Sequence, residues 1–326
     1  MTDLAAVGGD LDKELEKHRR ELTAYCYRML GSAFEAEDAV QETLVRAWRA
    51  FDRFEGRSSL RSWLYSIATN VCLDQLNGKK RRALPMDLSA AVPGDGAPGP
   101  VLGEQTWIQP IPDGRVVQGG DDPAELAVER ETIRLAFIRA LQLLPPRQRA
   151  VLILREVLRW QATEVAELLD TTVVSVNSAL QRARTTLASS NVGTPDAYQP
   201  MDAEQQQLLA RYVDAFERFD VESLVTLLHE DAIMSMPPYD MWLFGPSGLG
   251  NWLHGGGSGC RGSRLVATEA NGFPAFAQWR PSESGSGFDA FSIHVLELND
   301  DKISGLHFFV DPTLFPLFGL PEHLDR

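Results

Sequence analysis

The sequence predicts a multidomain fold with two all-α helical domains, the second containing a helix-turn-helix, followed by an α+β domain. Three observations support this prediction. Apolar residues recur at helical spacing through roughly the first 80 residues, and two short helices joined by a tight turn follow near residue 170. After residue 264 the helical period gives way to predicted strands of an antiparallel sheet, near residues 264–270, 273–279, 288–298 and 302–310, with GSG and NDD where hairpin turns belong.

Changes in composition divide the chain into five parts. The stretch PGDGAPGPVLGEQTWIQPIPDGRVVQGGDDP has no hydrophobic period and is rich in Pro and Gly, which is typical of a linker. Its Trp107, Ile108 and Ile111 favour docking against another surface. A second linker, NVGTPDAYQP, precedes the last domain. The predicted parts are residues 1–83, a linker over 84–124, residues 125–190, a linker over 191–200, and residues 201–326.

The first domain is predicted to contain three helices, over about residues 10–30, 35–51 and 58–77. Gly31 and the pair Asn77-Gly78 are typical helix ends, and Ser58 or Ser59 is a typical N-cap for the third helix. The apolar stripe of the third helix predicts which of its side chains build the core. These side chains are Leu60, Trp63, Leu64, Ile67 and Val71.

The second helical domain ends in the stretch ATEVAELLDTTVVSVNSALQRARTTL. A short helix over Thr163–Leu169, a turn at Asp170–Thr172 and a second helix over Val173–Leu187 form a helix-turn-helix pattern. The second helix would lie in a major groove of DNA and offer polar groups to base edges and phosphates. A helical hairpin in an all-α bundle would give the same pattern, so the motif alone leaves DNA binding open. The polar groups are Ser175, Asn177, Ser178, Gln181, Arg182 and Arg184.

A second basic segment runs from Leu44 to Arg82 and contains nine Lys or Arg against three Asp or Glu. Aromatic side chains lie among these cations, an arrangement that suits single-stranded DNA because bases stack on aromatic rings. The alternative is that the terminal KKRR run is a solvated helix cap favoured by the helix dipole. The aromatic residues are Trp48, Phe51, Phe54, Trp63 and Tyr65. The polar residues assigned to this DNA surface are Arg61, Asn70, Lys79, Lys80, Arg81 and Arg82.

The net charge of −14 is unevenly distributed. Residues 191–326 contain seven Lys or Arg and 19 Asp or Glu, whereas residues 1–190 contain 24 and 26. The acidity therefore belongs mostly to the last domain and does not exclude nucleic-acid binding by the first two.

Cysteine content and hydropathy indicate the compartment. The three cysteines, Cys26, Cys72 and Cys260, form no CxxC pair, which favours a reducing compartment and no structural zinc. No segment approaches the roughly 20 apolar residues that span a bilayer, and the first 20 residues lack a signal-peptide core. The sequence predicts a soluble cytoplasmic protein without a cofactor or metal.

Two long blocks carry a family resemblance. AEDAVQETLVRAWRAFDRFEGRSSLRSWLYSIATNVCLDQL resembles region two of the extracytoplasmic-function sigma factors of bacterial RNA polymerase, and LLPPRQRAVLILREVLRWQATEVAELLDTTVVSVNSALQRARTTL resembles their region four. The WIQPIPD linker and the last domain resemble the subgroup that carries a cone-shaped SnoaL-like α+β domain. The resemblance implies a subunit that binds core RNA polymerase and directs promoter-specific transcription initiation.

The resemblance also implies roles for the segments. The helix with Asp38, Gln41, Glu42 and Trp48 would dock on the polymerase clamp, and the basic segment would engage the minus-ten promoter element as it melts. The helix-turn-helix would read the minus-thirty-five element, and the first linker would thread toward the RNA exit path.

Two departures from the family pattern concern the second DNA-reading helix. Asp170 stands where the family turn usually has Gly, and Asn177 and Ala179 stand where basic residues are usual. Fewer cations mean fewer phosphate contacts. A promoter sequence therefore cannot be transferred from the family, and affinity for DNA is expected to depend more on the polymerase.

The last domain offers candidate catalytic residues, but no nucleophile motif or metal spacing. An isomerase of this fold needs an Asp base in an apolar pocket. The candidates are His229, Asp231, His294, His307 and Asp311. A small-molecule pocket is the more plausible alternative, with Trp242, Phe244, Trp252 and Phe276 as its predicted lining.

Three hypotheses follow for the whole chain. The favoured one is a sigma factor whose acidic last domain packs on the sigma regions or the linker and modulates activity. The second is a DNA-binding regulator with a ligand-sensing domain, and the third is a SnoaL-like isomerase or cyclase that carries helical domains.

Overall fold

The computed structural model describes residues 11–56, 58–119, 122–190 and 200–325. The chain forms two compact units: residues 1–82 with 114–198, and residues 83–113 with 199–326. The predicted linker over 84–124 is therefore divided, since its first 30 residues belong to the unit of the last domain. Nine of the ten residues predicted as the second linker, 191–199, lie outside the described residues.

The first unit is entirely helical within the residues that the structure describes. Residues 11–16 form a helical segment. The labelled helices that follow are α1 (Arg19–Leu30), α2 (Ala33–Ala50), α3 (Leu60–Leu76), α4 (Pro123–Glu131), α5 (Leu135–Gln142), α6 (Pro146–Leu152), α7 (Ala162–Leu168) and α8 (Val173–Ala188). The short turns are a 3-10 turn at Phe51–Arg53, a helical turn at Asp113–Val116 and a π-helical turn at Ile153–Val157.

Helix ends follow the predicted chemistry. Ser59 caps α3, its hydroxyl accepting a hydrogen bond from the Ser62 N–H at 3.0 Å. Ser32 caps α2 in the same way. Gly31 ends α1 with a φ of 69°, a left-handed conformation that glycine adopts without steric cost.

The buried face of α3 differs from the prediction. Leu64 and Val71 are buried as expected, but Leu60, Trp63 and Ile67 are only half-buried. Tyr65, Ala68, Thr69 and Cys72 are buried instead. The Tyr25 hydroxyl shares a hydrogen bond with the Thr69 hydroxyl at 2.7 Å. Because these two polar groups satisfy each other, Thr69 can be buried on a face of α3 that its polarity would otherwise assign to solvent.

Buried arginines join the two helical domains within the first unit. Arg28 of α1 donates to the hydroxyl and the carbonyl of Thr132, at 2.7 and 3.2 Å. Arg149 of α6 donates to the Met29 carbonyl, to the Gln142 side chain and to the Leu144 carbonyl. Burial lowers the pKa of each guanidinium to about 10, so both remain charged at pH 7.

The helix-turn-helix has the predicted geometry. The turn between α7 and α8 contains Asp170 with a φ of 47°. This left-handed conformation explains why glycine is usual at the position and why Asp, which tolerates it better than most residues, can replace it. Thr172 caps α8 by accepting from the Ser175 N–H at 3.1 Å.

The last domain has the predicted α+β fold, but its sheet is mixed rather than wholly antiparallel. Its helices are α9 (Ala203–Glu217), α10 (Val221–Thr226) and α11 (Gly245–His254), with short turns at Gly256–Cys260 and Leu314–Leu317. Its strands are β1 (Leu228–Ser235), β2 (Trp242–Phe244), β3 (Arg264–Ala270), β4 (Phe273–Pro281), β5 (Phe288–Asn299), β6 (Lys302–Phe309) and β7 (His323–Leu324). Their order is β2-β1-β6-β5-β4-β3, and β7 pairs with the start of β5.

The sheet is mixed because of strand β1. The sequence predicts a helix through Asp231, yet β1 begins at Leu228 and pairs in parallel with β6, Met234 lying opposite Leu306. Parallel pairing joins residues far apart in sequence, which a local pattern does not reveal. Strands β3 to β6 form within two residues of their predicted bounds.

Residues 83–113 pack on the last domain, and they contain short 3-10 turns at Pro85–Asp87 and Glu104–Thr106. Trp107, Ile108 and Ile111 are buried, as docking predicts. Backbone hydrogen bonds anchor the segment at intervals along its length. These bonds run from Val92 N to Trp242 O, Leu102 N to Pro238 O, Asp240 N to Pro100 O and Asn271 N to Ile111 O, at 2.9 to 3.1 Å.

Replacing Arg149 by Met should destabilise the helical unit by about 3 kcal/mol, because several buried acceptors lose a charged donor while only the unbranched apolar stem of the side chain is retained. Urea unfolding of the full chain, followed by far-ultraviolet circular dichroism, measures the change. The matched control is Arg147→Met, an exposed arginine on the same helix. Equal midpoints for the two variants would show that the Arg149 contacts contribute nothing.

Candidate nucleic-acid interface

Helix α8 presents its polar residues on one exposed face. Val176, Leu180 and Ala183 are buried against the rest of the unit. All six predicted DNA-contacting side chains are exposed: Ser175, Asn177, Ser178, Gln181, Arg182 and Arg184. The structure therefore brings these groups together on one surface of a helix that is anchored on its other side.

Two details modify this surface. Arg184 forms an ion pair with Glu156, so its charge is already partly compensated. Val174 in the first turn of α8 is 74% exposed, and the sequence-based prediction did not include it. An exposed apolar residue at the start of a recognition helix can contact the methyl group of thymine. Its position beside the cap, opposite the buried stripe, is the signal that could have identified it.

The basic segment of the first domain is divided by the structure. Asn70, Lys80 and Arg81 are exposed. Lys79 is also exposed but forms an ion pair with Glu35 at 2.8 Å. Arg82 is only 6% exposed and pairs with the same carboxylate at 2.9 Å, so it is a structural residue and not part of the predicted DNA surface.

Arg61 contacts both helical domains. Its Nε donates to the Glu21 carboxylate at 2.7 Å, and its guanidinium lies over the rings of Tyr65 and Trp160, at 5.2 and 5.7 Å from the centroids. Trp160, which precedes α7, is buried. The residue predicted for the melted promoter strand is thus partly engaged by internal contacts in this conformation.

Three aromatic residues form a half-buried cluster beside α3. The ring of Phe54 lies 4.9 Å from that of Trp63 and 6.1 Å from that of Phe51. Trp63 therefore belongs to the domain surface rather than to the predicted core. Tyr65, also predicted near single-stranded DNA, is fully buried and packs on Tyr25 at 5.1 Å.

A second surface surrounds Trp48 of α2. This side chain is 56% exposed, and Asp38, Gln41 and Glu42 are exposed on the same helix. Trp48 and Gln41 line a groove of about 450 Å³. The other lining residues are Asp12, Leu15, Glu16, Arg19, Leu44, Val45 and Arg49. An exposed tryptophan beside an open groove is typical of an interaction surface.

The four residues predicted to line a ligand pocket do not meet. Trp252 lines a small cavity in the last domain. Phe276 is buried against Tyr212, their ring centroids 5.6 Å apart, and Phe244 is 51% exposed. The Trp242 indole N–H donates to the Ser89 carbonyl of the docked linker at 2.9 Å. Of the four predicted lining residues, only Trp252 lines this cavity, so the predicted set is wrong.

The five candidate catalytic residues are dispersed. His229 and the exposed Asp231 lie on β1, and the Asp311 carboxylate accepts from the Thr313 hydroxyl at 2.6 Å. His307 is buried and hydrogen-bonded to Ser235 at 2.8 Å. Burial lowers the pKa of His294 well below its usual value, so this ring is neutral.

Two further findings concern the residues that the structure describes. None of their helices is long and apolar enough to cross a membrane. They contain no group of three or more His, Cys, Asp or Glu side chains that could hold a metal ion.

Comparison with known proteins identifies the class of the helical domains. Residues 15–82 match sigma-70 region 2, and residues 134–187 match sigma-70 region 4. These matches coincide with the unit that contains the helix-turn-helix and the Trp48 groove.

Relatives show the family. The ECF RNA polymerase sigma factor SigG of Mycobacterium tuberculosis is 45% identical over 324 residues, covering 97% of this chain and 85% of the relative. SigW of Bacillus subtilis is 30% identical over 170 residues, covering 52% of this chain and 82% of the relative. The crystal structure of M. tuberculosis SigJ, 21% identical, aligns with a TM-score of 0.57 over 95% of this chain and 99% of that one. The chain belongs to the extracytoplasmic-function sigma factors of RNA polymerase.

This membership confirms that part of the favoured hypothesis which makes the chain a sigma factor. The protein is a sigma factor: it binds core RNA polymerase and promoter DNA and directs promoter-specific transcription initiation. The predicted architecture of two helical sigma domains followed by an α+β domain is also confirmed.

Proposed function

We propose that the last domain regulates initiation by holding residues 83–113, the docked linker, in competition with their path through the polymerase. The observation that carries this proposal is that the linker's backbone is hydrogen-bonded to the last domain from Val92 to Ile111. A linker that must occupy the RNA exit path during initiation first has to break these contacts. The equilibrium between the docked and released linker then sets the activity.

Close backbone approaches make the docking specific. Gly94 has a φ of 86°, and a Cβ built on it would lie 2.3 Å from the Gly248 carbonyl oxygen. At Gly99 a Cβ would lie 2.4 Å from the Asp240 carbonyl oxygen. Any side chain at either position would push the linker away from the domain. Gly96 and Gly103 have no atom of the domain within 4 Å of such a Cβ.

Two further inferences concern whether the last domain is an enzyme and where in the cell the protein is located. We infer that it does not catalyse, because the candidate carboxylates Asp231 and Asp311 lie outside the residues that line its cavity, and an isomerase base requires an apolar pocket. We place the protein in the cytoplasm, where core polymerase and promoter DNA are found. Measured turnover of a ketosteroid or polyketide substrate would contradict the first inference.

We also propose the roles of the two helical surfaces. The exposed face of α8, with Val174 added, reads the minus-thirty-five element, and the Trp48 groove docks on the polymerase clamp. Asn70, Lys80 and Arg81 meet the minus-ten element, as does Arg61 once it has left Glu21. Support comes from the exposure of these side chains: those on α2, α3 and α8 lie on helices whose other faces are buried, and Lys80 and Arg81 are exposed beyond the end of α3.

A linker variant tests the regulatory proposal. Gly94→Ala with Gly99→Ala should raise promoter-specific transcription by core polymerase, since releasing the linker removes a competing interaction. A docking loss of about 1 kcal/mol corresponds to about a fivefold increase. Runoff transcription at limiting sigma concentration gives the measurement. Gly96→Ala with Gly103→Ala is the matched control, and equal activity of the two double variants would overturn the proposal.

A single substitution tests the polymerase-docking surface. Trp48→Ala should weaken binding to core polymerase by about 2 kcal/mol, or roughly 30-fold, as expected for a buried interface tryptophan. Fluorescence anisotropy of labelled sigma factor with core polymerase measures the affinity. Phe244→Ala, another exposed aromatic residue, should leave it unchanged. The assignment is wrong if both variants bind as tightly as the wild type.

Base recognition by α8 can be tested position by position. Asn177→Ala and Gln181→Ala should each reduce discrimination at one base pair of the minus-thirty-five element by about 1–3 kcal/mol. Holoenzyme binding to promoters carrying every single substitution in that element measures the effect. Ser189→Ala, exposed just beyond the end of α8, is the control. A uniform loss across all sequences would instead indicate that these side chains contact only the DNA backbone.

A further inference from the structure

A small cavity in the last domain has an apolar wall and a single charged group. Phe216, Met236, Trp252, Leu253, Phe308 and Val310 supply most of its apolar lining. Its remaining lining residues are Cys260, Gln278, Arg280, Phe291 and Ser292. No Asp, Glu or His is among them, so the cavity combines one cation with neutral surroundings.

Arg280 lacks an anionic partner at this cavity. Its Nη2 donates to the Cys260 sulfur at 3.1 Å, and its guanidinium lies 3.3 Å from the ring centroid of Phe291. Its Nε is buried without a hydrogen-bond partner. Among the residues that the structure describes, no carboxylate oxygen lies within 4.0 Å of this guanidinium. The last domain is rich in Asp and Glu, so an unpaired arginine there is unexpected.

The polar side chains of Gln278 and Ser292, which also line the cavity, do not supply an acceptor for Arg280. The Gln278 carbonyl oxygen accepts from the Ser292 hydroxyl at 2.7 Å and from His294 Nε2 at 2.9 Å. The Gln278 amide nitrogen donates to Ser263 at 2.8 Å. Because His294 is neutral and donates through Nε2, its Nδ1 accepts from the Tyr212 hydroxyl at 2.9 Å. Each of these polar groups is already hydrogen-bonded, which leaves Arg280 as the group free to bind a ligand.

We propose that this cavity binds a small monocarboxylate with an apolar body, the carboxylate accepting hydrogen bonds from Arg280 and the body contacting Trp252, Phe308 and Met236. Guanidinium and carboxylate form short, charge-assisted and often bidentate hydrogen bonds. The face of Phe291 partly stabilises the cation by a cation–π interaction but offers no acceptor for Nε. A bound carboxylate neutralises the charge of Arg280, and the apolar wall favours a ligand with an apolar body over a simple inorganic anion.

The free volume constrains the ligand's size. The cavity measures about 30 Å³, enough for roughly one or two water molecules. A ligand therefore enters only if a neighbouring side chain moves to make room for it. Met236 is suited to this because its unbranched thioether side chain adapts its shape readily.

Binding of a graded set of acids to the full chain tests the inference. Acetate, butyrate and benzoate should bind with increasing affinity, measured by isothermal titration calorimetry. Benzamide, the neutral analogue of benzoate, should bind about tenfold more weakly because it cannot pair with the guanidinium. Arg280→Gln should remove the preference for benzoate over benzamide while leaving the circular dichroism spectrum unchanged.

The controls separate the site from general charge effects. Arg261→Gln removes an exposed arginine that also lies over an aromatic ring, 4.3 Å from the centroid of Phe219, and should bind benzoate like the wild type. Should Arg280→Gln perturb folding, Arg280→Lys keeps the charge and is expected to retain part of the preference. The inference is overturned if none of the acids binds saturably in the millimolar range, or if Arg280→Gln binds benzoate as tightly as the wild type.

This inference goes beyond the regulatory role of the last domain and is tested without polymerase. A failure to bind carboxylates would leave the linker experiment unaffected. Conversely, an unaltered transcription rate in the glycine variants would say nothing about the affinity of the cavity for carboxylates. If both tests succeed, adding benzoate to the transcription assay shows whether occupancy of the cavity shifts linker docking.

Discussion

The first unit depends on charged guanidinium groups that are buried where its two helical domains meet. Arg149 binds carbonyls on both sides of that boundary, and Arg28 reaches from α1 to Thr132. Burying a charge is costly unless its hydrogen bonds are satisfied, so each arginine stabilises one arrangement of the helices and disfavours others. The position of the helix-turn-helix relative to α3, and the contact of Trp160 with Arg61, follow from this arrangement.

Much of the architecture could be predicted because its signals are local. Ser59, Gly31 and the Asp170 turn act within a few residues, and strands β3 to β6 are short runs separated by turn-forming residues. Strand β1 could not be predicted, because its conformation depends on parallel pairing with β6 some 70 residues later. Arg82 was assigned to DNA for a similar reason, since its position in a basic run does not reveal the half-buried Glu35 carboxylate beside it.

The candidate sites could likewise be predicted where they depend on local sequence, and could not where they depend on contacts between distant residues. The exposed face of α8 follows from helical periodicity, and its buried stripe of Val176, Leu180 and Ala183 determines the opposite face. The predicted aromatic pocket failed to assemble because Trp242 and Phe244 lie on the short strand β2, where one contacts the linker and the other faces solvent. Arg280 carried no sequence signal, since its significance is the absence of a neighbouring carboxylate in three dimensions.

The order in which the chain crosses between its two units has a consequence for biosynthesis. Residues 83–113 leave the ribosome well before their partners on the last domain, among which Asn271 lies about 160 residues after Ile111. At typical rates of translation this delay is on the order of ten seconds. During that interval the sigma domains can fold while the linker has no surface to dock on. A nascent or prematurely truncated chain would therefore pass through a period in which its linker is unrestrained.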